Sequence, residues 1–214
     1  HLVDAAAPAL MIAYAVGRIG CHVAGDGDWG IFNSAYKVND QNQIVASGTW
    51  EFHQVLMDNQ EYTKILIAEY GSLDNIPHKS FKGLSFLPNW FWAYNYPHNV
   101  NEQGIPIKGC EGQFCNQLSP PVFPTTLYEI IAGILLFLVL WGVRKKIHAP
   151  GQMFGLYLMM NGVERFLVEK IRVNTTYSIF GFHPTQAEII STCIFFIGVW
   201  LWLDSSKRFK AKTN

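Results

Sequence analysis

The sequence predicts an all-α polytopic membrane protein with about four transmembrane helices and an irregular head inserted between the first and the second. Long apolar runs are confined to residues 1–20 and 120–204, whereas residues 25–118 are rich in Gly, Asn, Asp and aromatic residues. The mean hydropathy of +0.12 lies between the values typical of soluble and of fully embedded proteins. We therefore interpret residues 1–214 as one membrane domain that carries the insertion 25–118.

The first predicted helix runs from residue 2 to about residue 20 and contains the apolar stretch AAAPALMIAYAVG. A helix needs about 20 residues to cross a bilayer, so this segment is just long enough. It bears Arg18 near its end, and a charge at that depth belongs at an interface or in a site. The chain begins with His1 rather than an initiator Met and shows no signal-peptide pattern, so we expect the true N-terminus to be missing.

The second helix, 126–143, contains the uninterrupted apolar run IIAGILLFLVLWGV, and the fourth, about 185–204, contains IISTCIFFIGVWLWL. Each begins with a threonine followed three residues later by a glutamate, the capping-box spacing. The pairs are Thr126 with Glu129 and Thr185 with Glu188. Between them lies the third helix, about 152–171, which is unusually polar.

Basic residues follow the second helix as RKK and the fourth as KRFKAK. Because positively charged loops stay in the cytoplasm, both helices run inward, the C-terminus is cytoplasmic and the segment 25–118 is periplasmic. The 16 Lys plus Arg residues balance the 16 Asp plus Glu residues, which gives no electrostatic footprint for nucleic acid.

Cysteine usage leaves one question open. Cys110 and Cys115 can close a disulfide in an oxidising compartment, but two free thiols fit the same spacing. We expect no metal site, because this pair lacks the C-x2-C spacing of zinc ligands and no second pair exists. Cys193 lies in the middle of the fourth helix and is interpreted as a small core residue.

The third helix carries a charged stripe within NGVERFLVEKIR. Asn161, Arg165, Glu169 and Arg172 fall within an arc of about 80° of one helix face. In a purely structural interpretation Arg165 pairs with Glu169, and Arg172 reaches the interface together with Lys170. In the functional interpretation Arg165 and Arg172 line a polar cavity for an anionic headgroup, which Glu169 helps to orient.

A second constellation, GRIGCHVAGDGDWG at residues 17–30, joins Arg18 to a glycine-rich turn. Under the topology above, Arg18 lies at about the same depth as Arg165 and Arg172. We therefore expect three arginines to converge at the outer leaflet, where they would bind a phosphodiester.

These two segments, together with PPVFPTTLYE, resemble the successive signature blocks of the prolipoprotein diacylglyceryl transferase family. The resemblance covers roughly 1–30 and 118–204; Cys21 and Asn161 depart from the asparagine and tyrosine common in the family, and the head looks longer than usual. The family's histidine-glycine-glycine motif lies in earlier helices, which by this resemblance we expect to precede this chain in the full protein. By this resemblance the matching family positions are Arg18, Asp26, Gly30, Tyr128, Glu129, Arg165, Glu169 and Arg172.

The resemblance implies a bacterial inner-membrane enzyme that moves the diacylglyceryl group of phosphatidylglycerol to the lipobox cysteine of prelipoproteins. Its partners would be phosphatidylglycerol, prelipoprotein signal peptides and membrane lipids, and no cofactor is expected. The expected catalytic residues are Arg18, Arg165, His22 and Glu169. The expected substrate-binding residues are Arg18, Asp26, Gly30, Tyr128, Glu129, Asn161, Arg165, Arg172 and His98.

The general base is open among His22, His98 and His183, with His22 preferred for its place beside the glycine-rich turn. Each histidine also has an ordinary structural interpretation as a turn or interfacial residue. Glu129 likewise has a structural interpretation as a helix-capping residue. Two other functional classes stay open as well. One is a transporter whose permeation path the charged stripe lines; the other is a non-catalytic scaffold whose head binds a partner through Trp90 and Trp92.

Overall fold

The computed structural model describes residues 2–48, 50–172 and 184–213. The described chain forms two compact units. The helical unit contains the described residues within His1–Ile19, Tyr128–Lys170 and Asn174–Asn214, and the mixed unit contains those within Gly20–Leu127 and Ile171–Val173.

Four long helices supply the helical unit: α1 (Leu2–Ala24), α5 (Thr125–Val143), α6 (Gln152–Glu169) and α7 (Gln186–Thr213). The last residues of α1 and the first of α5 belong to the mixed unit. Side chains of α1, α5 and α6 form its buried core, namely Ala7, Met11, Leu140 and Met153.

Helices α6 and α7 approach closely at glycines. A Cβ atom built on Gly198 would lie 2.7 Å from the Gly155 carbonyl oxygen, and one on Gly155 would lie 2.9 Å from the Gly198 carbonyl oxygen. Farther along α6, a Cβ on Gly162 would lie 2.8 Å from the Ser191 carbonyl oxygen. Small residues at such crossings let backbones pack tightly, which is a main source of attraction between membrane helices.

The N-terminus of α6 is capped by a residue of α1. The Asp4 carboxylate accepts hydrogen bonds from the backbone N–H groups of Gly151 (2.7 Å) and Phe154 (3.0 Å). The N–H groups in the first turn of a helix have no hydrogen-bond partners within the helix. A carboxylate at this end also interacts favourably with the helix dipole. Asp4 therefore ties α1 to the start of α6.

The mixed unit contains short elements. Its helices are α2 (Glu51–Asp58), α3 (Gln60–Tyr70), a 3-10 turn (Leu73–Asn75) and α4 (Asn89–Trp92). Its strands are β1 (Phe32–Asn33), β2 (Tyr36–Val38), β3 (Ile44–Ala46), β4 (His78–Lys79), β5 (Ile105–Pro106) and β6 (Asn116–Gln117). Among the described residues they pair as parallel β1–β4 and antiparallel β2–β3 and β5–β6.

One hydrophobic core holds the mixed unit together, formed by Phe32, Phe52, Leu56, Tyr62, Leu66, Ile76, Tyr96, Leu118 and Val122. Within α2, Phe52 and Leu56 are four residues apart and so share one buried face. The fully buried Asn33 amide donates to the carbonyls of Phe81 and Trp92, which fixes two loops around the core.

Of the described helices, three are long and apolar enough to cross a membrane: Leu2–Ala24, Thr125–Val143 and Gln186–Ala211. The prediction of a mostly helical membrane protein is thereby confirmed. Helix α6 is not among the three, since its 18 residues include Glu164, Arg165 and Glu169. The insertion is not simply irregular, because backbone hydrogen bonds organise it into short helices and strand pairs.

Several local predictions have clear outcomes. Helix α1 continues four residues past its expected end, to Ala24, and α7 continues to Thr213. The capping box at the start of α7 is confirmed, because Thr185 N–H donates to Glu188 and Glu188 N–H donates to Thr185, each at 3.1 Å. The core assignment of Cys193 is wrong, since α7 turns this residue outward and leaves it exposed.

Candidate active site

A buried ion pair joins α1 and α5 in the helical unit. The Arg18 Nε atom lies 3.2 Å from Glu129 Oε2, and the two side chains are only 12% and 2% exposed. The Arg18 guanidinium also lies over the ring of Tyr14, 5.4 Å from its centroid. Arg18 and Tyr14 are four residues apart on α1, so they share a helix face, and that face meets Glu129.

Glu129 was interpreted from sequence as a cap for its own helix. In the structure its two carboxylate oxygens face other elements: Oε1 accepts a hydrogen bond from the Tyr14 hydroxyl at 3.0 Å, and Oε2 faces Arg18. Capping therefore does not account for its position. An ionised pair taken out of water is stable only when such additional hydrogen bonds complete it.

Glu164 of α6 belongs to the same cluster, although the sequence analysis did not single it out. It is 6% exposed, and its oxygens lie 3.3 and 3.5 Å from the Tyr14 hydroxyl. It also interacts electrostatically with Glu129, Arg165 and Arg18. A carboxyl group inside a predicted membrane helix is a detectable signal in the sequence, but its partner Tyr14 lies 150 residues away.

The predicted polar face of α6 lines a cavity. Asn161, Arg165 and Glu169 contribute to its wall, and its volume is about 440 Å³. Residues of α7 complete it, namely Gln186, Ala187, Ile190 and Ile194. The spacing of four residues thus places the three polar side chains at one opening, as expected.

Arg172 has its described contacts elsewhere. It belongs to the mixed unit, where its guanidinium pairs with the Asp28 carboxylate of the glycine-rich turn and its backbone bridges to Gly30. On the polar side of α6, the neighbouring Lys170 pairs with Glu188 at the start of α7. Arg172 lies beyond the end of α6 at Glu169, so the helical periodicity that predicted its place beside Arg165 does not extend to it.

Packing explains Gly30 in the glycine-rich turn. A Cβ atom there would lie 2.6 Å from the Ile171 carbonyl oxygen and 2.9 Å from the Phe123 Cβ atom. Asp26, by contrast, is exposed, and its side chain accepts a hydrogen bond from the Asp28 backbone at 3.3 Å. Candidate ligand atoms of Cys21, Asp26 and Asp28 lie within 4.8 Å of one another, but the Arg172 charge beside Asp28 disfavours a cation there.

His22 sits in a hydrogen-bonded cluster of the mixed unit. Its Nδ1 atom lies 2.9 Å from the Thr126 hydroxyl, which is also 2.9 Å from the Tyr96 hydroxyl. The His22 ring stacks on Tyr94 with a centroid separation of 5.1 Å. Thr126 therefore orients the imidazole.

His98 lies beside a disulfide. Cys110 and Cys115 are bonded, so the disulfide alternative is confirmed over two free thiols. The His98 Nδ1 atom is hydrogen-bonded to the Phe114 carbonyl at 2.8 Å and lies 3.8 Å from Cys110 Sγ. These contacts of His98 support the loop that the disulfide closes. The third histidine candidate, His183, lies outside the described residues.

Tyr128 lines a second, almost wholly apolar cavity of about 490 Å³ in the helical unit. Side chains of α5, α6 and α7 surround it, including Leu136, Met159, Met160 and Phe195. Glu164 reaches its wall as well. Tyr128 is thus placed against an apolar space, apart from the residues that line the 440 Å³ cavity.

Comparison with known proteins gives a consistent result. A family model described as prolipoprotein diacylglyceryl transferase matches residues 1–203. A phosphatidylglycerol–prolipoprotein diacylglyceryl transferase of Corynebacterium efficiens is 27% identical over 136 residues, which cover 56% of this chain and 41% of that protein. One of the same name from Xylella fastidiosa is 38% identical over 85 residues, or 38% of this chain and 28% of that protein. The chain thus spans less than half the length of these relatives.

Proposed function

Because the chain belongs to the prolipoprotein diacylglyceryl transferase family, we propose that the full-length protein transfers the diacylglyceryl group of phosphatidylglycerol to the lipobox cysteine of prelipoproteins. The observation that carries the proposal is the cavity of about 440 Å³ whose wall includes Asn161, Arg165 and Glu169. A cavity with a guanidinium group in its wall suits an anionic lipid headgroup. Family membership favours this function over the transporter and scaffold alternatives.

We assign binding of the lipid phosphate to Arg165 and Arg18. An arginine keeps its charge when buried and can hold two phosphate oxygens with one planar group. Both arginines belong to the helical unit, and both interact electrostatically with Glu164. Glu169 lines the same cavity as Arg165, and we assign to it the role of orienting the Arg165 side chain. The remaining family positions, Asp26, Gly30, Tyr128, Glu129, Asn161, Arg172 and His98, stay assigned to substrate binding.

The reaction is a nucleophilic displacement at a glycerol carbon. The cysteine sulfur forms a bond to that carbon while the bond from carbon to phosphate oxygen breaks, and glycerol phosphate leaves. Negative charge grows on the departing phosphate, so fixed cations such as Arg18 and Arg165 stabilise the transition state. Their effect is largest where water is excluded.

The thiol must lose its proton, because a cysteine of ordinary pKa is only slightly ionised at neutral pH. We assign this proton to His22, which follows Arg18 by four residues on α1 and therefore lies on the same helix face. The contact between Nδ1 and the Thr126 hydroxyl supports the assignment. In the tautomer in which Nδ1–H donates to Thr126, the ring is fixed and Nε2 is the candidate proton acceptor.

The proposed location is the bacterial inner membrane, with α6 as a fourth span between α5 and α7. The basic residues after α5, Arg144, Lys145 and Lys146, and those in the last turns of α7 support a cytoplasmic location for both helix ends. The segment 25–118 then faces the periplasm. The Cys110–Cys115 disulfide supports this side, because disulfides persist in oxidising compartments.

Replacing Arg165 in the full-length protein tests the assignment. Transfer of a labelled diacylglyceryl group from phosphatidylglycerol vesicles to a lipobox peptide should fall by about 10²–10³-fold in Arg165→Ala, as expected when one stabilising donor is removed. The matched control is Arg208→Ala, since Arg208 is 66% exposed and pairs with Asp204. Normal turnover by Arg165→Ala would contradict the proposal.

A further inference from the structure

One hydroxyl group in the helical unit faces two buried carboxyl groups. The Tyr14 hydroxyl oxygen lies 3.0 Å from Glu129 Oε1 and 3.3 Å from Glu164 Oε1. A phenol has one proton and can donate to only one of them. If both carboxyl groups were ionised, the second would direct its lone pairs at the phenol oxygen in a site where neither glutamate is more than 6% exposed. This geometry favours a proton on one of the two carboxyl groups.

The surroundings decide which carboxyl group holds the proton. Glu129 faces the guanidinium of Arg18 at 3.2 Å, and a cation at that distance favours the ionised form. Glu164 also interacts with Arg165 and Arg18, but it borders the apolar cavity of about 490 Å³, and among the described residues that line this cavity it alone carries a carboxyl, ammonium or guanidinium group. The acidic residues of α7, Glu188 and Asp204, face Lys170 and Arg208.

We propose that Glu164 is a neutral carboxylic acid that donates its proton to the Tyr14 hydroxyl, which in turn donates to ionised Glu129. Glu164 is then a positioning residue for Arg18. Transfer of one proton from Glu164 to the phenol oxygen, with transfer of the phenol proton to Glu129, moves the negative charge from Glu129 to Glu164. No other bond changes, and the number of protons is conserved.

This shift has a consequence that rests on the proposed function. While Glu129 is ionised, it competes with a lipid phosphate for Arg18. Once Glu129 is protonated, it no longer competes with the phosphate for Arg18, and the negative charge lies on Glu164, which interacts with Arg165 and then with Arg18. The cluster therefore adjusts its charge to an anionic substrate without taking up a proton from solution.

Infrared spectroscopy of the full-length protein, in a detergent that has no carbonyl group, tests the protonation state directly. At neutral pH the wild type should show the carbonyl stretching band of a buried protonated acid, and Glu164→Gln should lose it. Tyr14→Phe should keep the band at a shifted frequency, because the acid loses its hydrogen-bond partner. Glu188→Gln, which alters a carboxyl group paired with Lys170, should leave the band unchanged. Absence of the band in the wild type, or its persistence in Glu164→Gln, would overturn the proposal.

Turnover separates this inference from the proposed function. Glutamine can still donate a hydrogen bond to Tyr14 but cannot release a proton, so kcat should fall about tenfold or more in Glu164→Gln. Wild-type kcat in that variant would overturn the positioning role. If the wild type transferred no diacylglyceryl group while its acid band vanished in Glu164→Gln, the proposed function would fail and the protonation of Glu164 would stand.

Discussion

Replacing Gly198 with alanine should destabilise the crossing of α6 and α7. The added Cβ atom would lie 2.7 Å from the Gly155 carbonyl oxygen and 2.8 Å from the Met159 nitrogen. Since ordinary contact begins at 3.4 Å, the helices must separate by 3.4 minus 2.7, or 0.7 Å, at this point. Both neighbours are backbone atoms, so no side-chain rotation relieves the overlap. Overpacking of this kind costs about 1–3 kcal/mol.

Thermal unfolding of the purified protein in detergent measures the effect. A loss of this size corresponds to an apparent melting temperature lower by roughly 2–12 °C for a chain of this length. Gly142→Ala in α5 is the matched control, because a Cβ atom there meets nothing within 4 Å. Alanine is the better helix former, so this control should melt at or above the wild-type temperature. A Gly198→Ala protein as stable as the wild type would refute the close-packing argument.

Two further predictions concern the mixed unit. Gly30→Ala should also lower the melting temperature, because its Cβ atom would lie 2.6 Å from the Ile171 carbonyl oxygen. Gly20→Ala is the control, since a Cβ atom there meets nothing within 4 Å. Equal melting temperatures of the two variants would count against a packing role for Gly30. A hydrogen bond from Ser47 lowers the pKa of Glu51 in the folded chain. Because the unfolded chain then binds more protons, the Glu51 carboxylate stabilises the folded state above the unfolded pKa, and this stabilisation is lost as the pH falls through the folded pKa. The stability difference between wild type and Glu51→Gln, measured by melting from neutral pH down to about pH 3, should therefore shrink below the ordinary glutamate pKa of about 4.3; a difference independent of pH would contradict this.

The polar face of α6 shows how far local periodicity reaches. Asn161, Arg165 and Glu169 are spaced by four residues, so any α-helix places them on one side, and they do line one cavity. The same reasoning assigned Arg172 to this face. That extrapolation failed because α6 ends at Glu169, after which Arg172 takes a backbone position beside Gly30 and pairs with Asp28.

Glu129 and Glu164 show where local reasoning stops. A threonine three residues before Glu129 matches a capping box, and this accounts for the glutamate without any partner from elsewhere. Its observed partner, Tyr14, is 115 residues distant in the chain, and the Glu164 partner is 150 residues distant. Propensity and spacing carry no information on such pairs, since packing of whole helices brings them together.

By itself the sequence determined the helical membrane architecture, the polar face of α6, the capping box of α7 and the family, because these depend on hydropathy, on the 3.6-residue period and on short motifs. Only the tertiary structure decided that Glu129 faces Arg18 and Tyr14, that Glu164 joins them, and that Arg172 pairs with Asp28. The physical reason is that the stability of a buried charge depends on every group around it, and those groups come from helices far apart in the chain.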